Sequence, residues 1–327
     1  GVKTHPAFAP IVKEKRIIRT WDFPDDEPGV FAHNKHGTMV MSCIAGKQDT
    51  MHLGLAPDAT FLLARTEVFT EPFSEEKNWL AAAEWANKHG ADIINSSLGY
   101  TYHRYFPEEM DGKHSLVARA ANMAARKGML VVNAMGNSGN NKHWRIVGSP
   151  ADADSVLSIG GLDPYSGYHT SFSSYGPTAD MRRKPNVSAN AHVIAASPNG
   201  GLTKTQGTSF SSPLVAGFAA CALQANPALK AMELFHRVER AGHLYPYYDY
   251  AHGYGIPQAS FITKDKQVKP DTTINILKKE DRLTFRVLPE YITKKKNAHN
   301  YLYYHIEKPN GVLKQYGLIR VNQSDAY

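Results

Sequence analysis

The chain has 327 residues, of which 42% are hydrophobic, enough to bury a sizeable core in one large domain or two of ordinary size. Its formal net charge of +7 is concentrated at one end: residues 264–327 hold ten Lys and three Arg against four Asp and three Glu, and the remainder is nearly neutral. No apolar run of about 18 residues is present, which excludes a membrane-spanning helix, and the absence of an aromatic-interleaved basic groove or a nucleic-acid motif excludes a nucleic-acid partner.

In chain order, Asp25-Asp26-Glu27 reads as a solvated loop ahead of Asn34-Lys35-His36-Gly37-Thr38. His36 opens a helical stretch that closes at Gly46. The positive potential of a helix N-terminus disfavours the imidazolium and keeps the ring available as a base. From Ala59 to Gly255, short apolar runs alternate with amphipathic stretches, which predicts an α/β domain with a parallel sheet covered by helices. The predicted strands are Thr60–Ala64, Asp92–Ser96, Met129–Asn133, Val156–Ile159 and His192–Ala196. The predicted helices are Glu76–Lys88, Ser115–Lys127, Ser211–Gln224 and Ala231–Ala241, with Gly90 and Gly128 as C-terminal stops after two of them. In such sheets function gathers at the carboxyl ends of the strands. There Ser96-Ser97-Leu98-Gly99 offers an edge that can pair with a peptide backbone, and Ala134-Met135-Gly136-Asn137 runs from a buried strand into a glycine-flanked loop. The Asn137 amide can donate to an oxyanion without titrating. Taken alone, Gly-Asn-Ser-Gly is also an ordinary turn signal.

Gly207-Thr208-Ser209 precedes the small-residue helix, with Pro213 expected in its first turn. Ser209 at a helix N-terminus suits a nucleophile, since unpaired N–H groups there favour developing negative charge. A plain helix cap is the competing reading. Cys43 and Cys221 read as two small buried thiols rather than a bridge. After Lys264 the pattern turns to β-rich alternation over Thr273–Leu277, Leu283–Leu288, Tyr301–Ile306 and Tyr316–Val321, with Asn310-Gly311 as a hairpin turn and Lys294-Lys295-Lys296 as a solvated turn. The expected division is therefore 1–263 and a β-rich unit over 264–327, which ends without an obvious closing element. No signal peptide is visible, and Gly1 in place of Met reads as a processed or trimmed start.

The stretches GTSFSSPLVAG, HGTMVMSCIAG and VVNAMGNSG, with GLAPDATFLLAR, GADIINSSLG, SPADADSVLSIGGLD, SFSSYGP and GYGIPQASF around them, resemble the motifs of subtilisin-family serine proteases, in the family's order. The resemblance covers roughly residues 4 to 262. It implies a subtilisin-like parallel sheet with helices on both faces, Ser209 as nucleophile, His36 as general base, and Asn137 with the Ser209 N–H as oxyanion donors. It also implies that Ser96 to Gly99 align the substrate backbone and that Ala134 to Gly136 border the specificity pocket.

In the family, the triad aspartate precedes a segment resembling Thr4-His5-Pro6-Ala7-Phe8, so it is expected upstream of Gly1; Trp21-Asp22-Phe23 matches a stretch that follows it. Met39, where relatives carry a second histidine, reads as packing, and Ser188-Ala189-Asn190 stands in a loop where Ala-Pro-Gly is common. The function implied is a serine endopeptidase acting on protein or peptide substrates, secreted or at the cell surface. No cofactor is required; the resemblance allows structural calcium, although no loop of oxygen ligands has a readable spacing. The alternative, which rests on the missing aspartate, is an inactive subtilase scaffold for peptide binding or surface attachment. An α/β-hydrolase is disfavoured because Gly-x-Ser-x-Gly is absent and histidine precedes serine.

Overall fold

Strands buried on both faces need uninterrupted apolar side chains, and two segments of this chain meet that demand along their whole length: Leu130–Ala134 and Val156–Leu162. A computed structural model describes residues 4–264, 272–292, 300–309 and 313–321. The chain divides into two compact units, 1–267 and 268–327. In the first, the elements in order are α1 (Ala9–Lys13), β1 (Ile17–Asp22), α2 (His36–Ala45), the short hairpin β2 (Lys47–Gln48) and β3 (Met51–His52), β4 (Phe61–Arg65), α3 (Ser74–Lys88), β5 (Ile93–Ser96), α4 (Leu116–Arg126), β6 (Leu130–Ala134), β7 (Val156–Leu162), β8 (Val187–Asn190), β9 (His192–Ala196), β10 (Leu202–Gln206), α5 (Thr208–Ala225), α6 (Ala231–Arg240) and α7 (Ala259–Lys264).

Strands β5, β6, β7 and β8 form a parallel sheet in that order, with Val131 beside Ile94 and Val156. Alternate residues of β6 serve opposite faces. Leu130 and Val132 join Leu157, Ile159 and Val187 under Val215 and Ala219 of α5 and Leu234 and Val238 of α6. Val131 and Val156 meet Trp79 and Ala83 of α3 and Val117, Ala121 and Ala124 of α4. Helix α4 starts at Ser115, whose hydroxyl accepts the Ala118 N–H at 3.0 Å. Leu157 is fully buried between strands and helices. Leu157→Ala is expected to cost about 2–5 kcal/mol through lost burial and an unfilled cavity, read as a lower urea midpoint at unchanged slope.

A second parallel pair, β1 with β4, stands apart from this sheet. Three expectations need correction. His192–Ala196 is not in the parallel sheet: it forms an antiparallel hairpin with β10, because the turn through Gly200, at φ +87°, returns the chain on itself. Cys221 is exposed on α5, where Ala219 and Ala222 take the core-facing positions; both cysteines are free, and only Cys43 is buried. Ser188-Ala189-Asn190 lies in strand β8 rather than a loop. Strands β1, β8 and β10 escaped the sequence reading because polar residues such as Arg19, Asn190 and Lys204 interrupt their apolar pattern.

In the second unit, β11 (Ile274–Lys279) pairs with β12 (Arg282–Val287), and β13 (Asn300–Glu307) with β14 (Leu313–Val321), each antiparallel. Asn310-Gly311 and Lys294-Lys295-Lys296 lie outside the described residues. Among the described residues no helix is long and apolar enough to cross a membrane.

Candidate active site

Gly207 has φ +142°, a conformation that a side chain would strain, and this turn starts α5 at Thr208. Ser209 is therefore the second residue of the helix, where backbone N–H groups have no intrahelical acceptor; among the described residues no hydrogen bond engages its own N–H. Pro213 lies inside the helix rather than in its first turn. Having no N–H, it cannot bond the Ser209 carbonyl four residues back. The Ser97 hydroxyl takes that role, donating to the Ser209 carbonyl at 2.8 Å. Asn95 Nδ2 donates to Ser97 Oγ at 3.3 Å, and the Ser212 hydroxyl donates to Asn95 Oδ1 at 2.9 Å. The start of α5 is thus tied to the end of β5 by a chain of hydroxyls and amides. The sequence reading missed it, although a proline four residues after Ser209 marks the orphaned carbonyl.

Asn137 is held by one end of its amide. Thr208 donates its N–H at 2.9 Å and its hydroxyl at 3.0 Å, both to Asn137 Oδ1. Two donors on one atom identify it as the oxygen. Nδ2 has no partner among the described residues, so the loop after β6 holds a fixed amide donor against the helix start that carries Ser209. Thr208 was not singled out from the sequence; its part depends on a partner 71 residues away.

His36 opens α2, which is seated by Ser42: its hydroxyl accepts the Ala196 N–H at 3.0 Å. Met39, Val40 and Cys43 pack with Ala195 and Phe210, so Met39 serves packing. The His36 ring meets the Phe210 ring edge-on at 6.0 Å between centroids. It makes no hydrogen bond with Ser209, whose hydroxyl donates instead to the Ser97 carbonyl at a long 3.3 Å. Such separations are usual without substrate and close in the complex. Burial lowers the His36 pKa below the ordinary histidine value. The folded protein then binds fewer protons here than the unfolded chain does. This group's stability contribution is complete above about pH 6.5 and declines as pH falls toward the lowered folded value. The acidic limb of kcat/KM is expected below pH 6.5; a pH–rate profile with its limb at or above the ordinary histidine value would contradict this.

Of the other predicted positions, Ser96 turns its hydroxyl toward α3, where it accepts from Trp79 Nε1 at 2.9 Å. The Leu98 carbonyl accepts from Asn133 Nδ2 at 3.0 Å. Among the described residues no hydrogen bond engages either backbone group of Gly99. Ala134 ends β6; Met135 is buried, and its N–H bonds the Ile159 carbonyl. Gly136, at φ +110°, donates its N–H to Thr208 Oγ1 at 3.3 Å, and a Cβ there would lie 2.9 Å from Ser174 Oγ.

Asp22 is fully buried at the end of β1. Its carboxylate is held by Arg65 at 2.7 and 2.9 Å and by His33 Nε2 at 3.1 Å, with no hydrogen bond to His36. Asp22, Asp25 and His33 could in principle ligate a metal. The Arg65 guanidinium, 2.7 Å from Asp25 as well, already supplies the cation between the two carboxylates, so these residues do not fit a calcium site. A cavity of about 1510 Å³ is lined by His36, Asn95 and Ser97 but by neither Ser209 nor Asn137. It lies beside the candidate catalytic groups rather than over them.

The chain matches a family model described as "Subtilase family" over residues 1–255. It is 34% identical to subtilisin DY of Bacillus licheniformis over 206 residues, covering 63% of this chain and 69% of that protein. It is 31% identical to alkaline elastase YaB of Bacillus sp. (strain YaB), covering 67% of this chain and 53% of that protein. Among solved structures, Sphericase aligns with a TM-score of 0.62 at 25% identity, covering 78% of this chain and 87% of that one.

Proposed function

Because the chain belongs to the subtilase family of serine proteases, we propose that it hydrolyses peptide bonds through an acyl-enzyme on Ser209. His36 removes the Ser209 hydroxyl proton as Oγ attacks the scissile carbonyl, then delivers that proton to the leaving amine; water repeats the cycle to release the acid. Asn137 Nδ2 and the Ser209 N–H receive the oxyanion. The observation that carries this reading is the clamp of Thr208 on Asn137 Oδ1, which leaves Asn137 Nδ2 without a partner among the described residues beside the helix start that carries the Ser209 N–H. Gly99 offers the substrate a backbone donor and acceptor, and Ala134 to Gly136 shape the pocket wall. No step needs a metal or cofactor. By kinship alone we also read the protein as secreted or displayed at the surface, with residues 268–327 as a unit appended to the protease domain.

Fluorophosphonate labelling followed by peptide mapping tests the nucleophile. The oxyanion donors alone support residual reactivity, so slow label at Ser209 is expected even without a carboxylate beside His36. Label on a different residue, or labelling that survives Ser209→Ala, overturns the assignment.

A further inference from the structure

Helix α4 buries Val117, Ala121 and Ala124 against the sheet, and its solvent side carries Arg119, Asn122 and Arg126. Spacings of three and four residues set these side chains in one stripe, with about 10 Å of helix between the two arginines. The stripe lines a cavity of about 370 Å³ whose other walls are Gly112 and Lys113, ahead of the helix, and Asp154 and Ser155, ahead of β7. Asn122 ties both walls to the helix: its Nδ2 donates to the Gly112 carbonyl at 3.2 Å, and its Oδ1 accepts the Ser155 N–H at 2.9 Å. The Gly112 N–H donates in turn to the buried Asp152 carboxylate at 2.7 Å. At φ +73°, a Cβ on Gly112 would lie 2.8 Å from the Asp152 carbonyl oxygen, so only glycine fits this wall. Floor and walls are thus fixed before any ligand arrives.

Lys113, Arg119 and Arg126 place three cationic groups on this cavity, and among the described residues no side-chain hydrogen bond or ion pair engages any of them. The carboxylates nearby do not neutralise them. Asp111 accepts the Lys113 and His114 N–H groups on Oδ1 and pairs through Oδ2 with the His114 ring at 2.8 Å. Asp154 lines the cavity without forming an ion pair among the described residues. Arg182 adds positive charge behind the Gly112 wall. It pairs with Asp180 through Nε and donates from Nη2 to the Asp111 carbonyl at 2.7 Å, while its Nη1 is buried with no acceptor among the described residues. Like charges gathered on one wall repel, and an anion that enters relieves the repulsion. Arginine forks match phosphate oxygens in pairs.

We propose that this cavity binds a small phosphate ester carrying two anionic groups and a hydroxyl, of which a sugar bisphosphate is the type. Arg119 and Arg126 each take one phosphate, Lys113 supplies the third positive charge, and Asp154 accepts the hydroxyl. The separation of the arginines along the helix favours two anionic groups over one, and the volume is that of a small-molecule site. An anion without a hydroxyl would meet Asp154 as an unrelieved like charge. None of these residues belongs to the groups assigned to peptide hydrolysis, so the site stands whether or not that reading holds.

Calorimetric titration of the full chain with fructose bisphosphate, inorganic pyrophosphate and an aspartate tetrapeptide, at one ionic strength, tests the site, and hydrogen exchange locates it. Saturable binding of the bisphosphate is expected, with slower exchange at the Ser155 N–H. Arg119→Gln and Arg126→Gln should each weaken it about tenfold by removing a charge-assisted contact. Lys314→Gln, in the basic β-rich unit, should leave it unchanged. Asp154→Asn should weaken the bisphosphate and strengthen pyrophosphate. All four side chains are exposed, so the substitutions leave the core intact. No binding of the bisphosphate at millimolar concentration, full binding by both arginine variants, or a loss in Lys314→Gln alone overturns the site. Tighter binding of the tetrapeptide than of the bisphosphate overturns the ligand class, and the same response of both phosphates to Asp154→Asn overturns the part given to the hydroxyl.

Discussion

Ser209→Ala is expected to abolish fluorophosphonate labelling at this turn and, with a carboxylate in place beside His36, to lower amide hydrolysis by on the order of 10⁶. That magnitude is the one found for subtilisin itself and is adopted rather than calculated from this structure. The physical reason is local. The neighbouring hydroxyls are engaged elsewhere, Thr208 with Asn137 and Ser211 with the Asn190 carbonyl, whereas Ser209 makes only a long 3.3 Å bond to the Ser97 carbonyl among the described residues. His36→Ala should fall to nearly the same level, since nucleophile and base act as one unit and their losses do not add. Circular dichroism should be unchanged in both variants. Hydrolysis retained by Ser209→Ala at more than a hundredth of the parent rate would remove Ser209 from the mechanism.

Asn137→Ala is expected to lower kcat by on the order of 10²–10³ with little change in KM; this range too is known from subtilisin's oxyanion asparagine and is carried over. The substitution removes a donor that acts when the carbonyl becomes an oxyanion, so ground-state binding should survive. It also deletes the acceptor for Thr208, a structural effect that needs separating. Thr208→Ser keeps the hydroxyl and should be near neutral, and Thr208→Val, which loses one hydrogen bond to Oδ1 and that from the Gly136 N–H, should cost far less activity than Asn137→Ala. Steady-state kinetics on the three variants separates the roles. Equal losses in Thr208→Val and Asn137→Ala would mean that Asn137 acts by packing the turn and not by stabilising charge.

Most of the first unit could be read from the chain because its strands and helices advertise themselves locally. The apolar runs of β6 and β7 admit only a doubly covered strand, and the glycine stops after α3 and α4 follow from backbone sterics. What failed to show locally was either polar, as in β1 and β8, or decided by pairing partners. The five residues of β9 read equally well as a parallel strand or half a hairpin until the turn at Gly200 sets their direction. Cys221 and Ala222 are equally small, so composition cannot say which of them faces the sheet.

The order His36, Asn137, Ser209 and the helix starts beneath two of them belong to the sequence by itself, since capping, glycine turns and small-residue runs act over a few neighbouring residues. Tertiary structure alone decided which amide atom of Asn137 is free, because its clamp on Thr208 spans 71 residues. It also decided that the carbonyl orphaned by Pro213 is met by Ser97, 112 residues from Ser209, and that Asp22 neutralises Arg65 instead of serving His36.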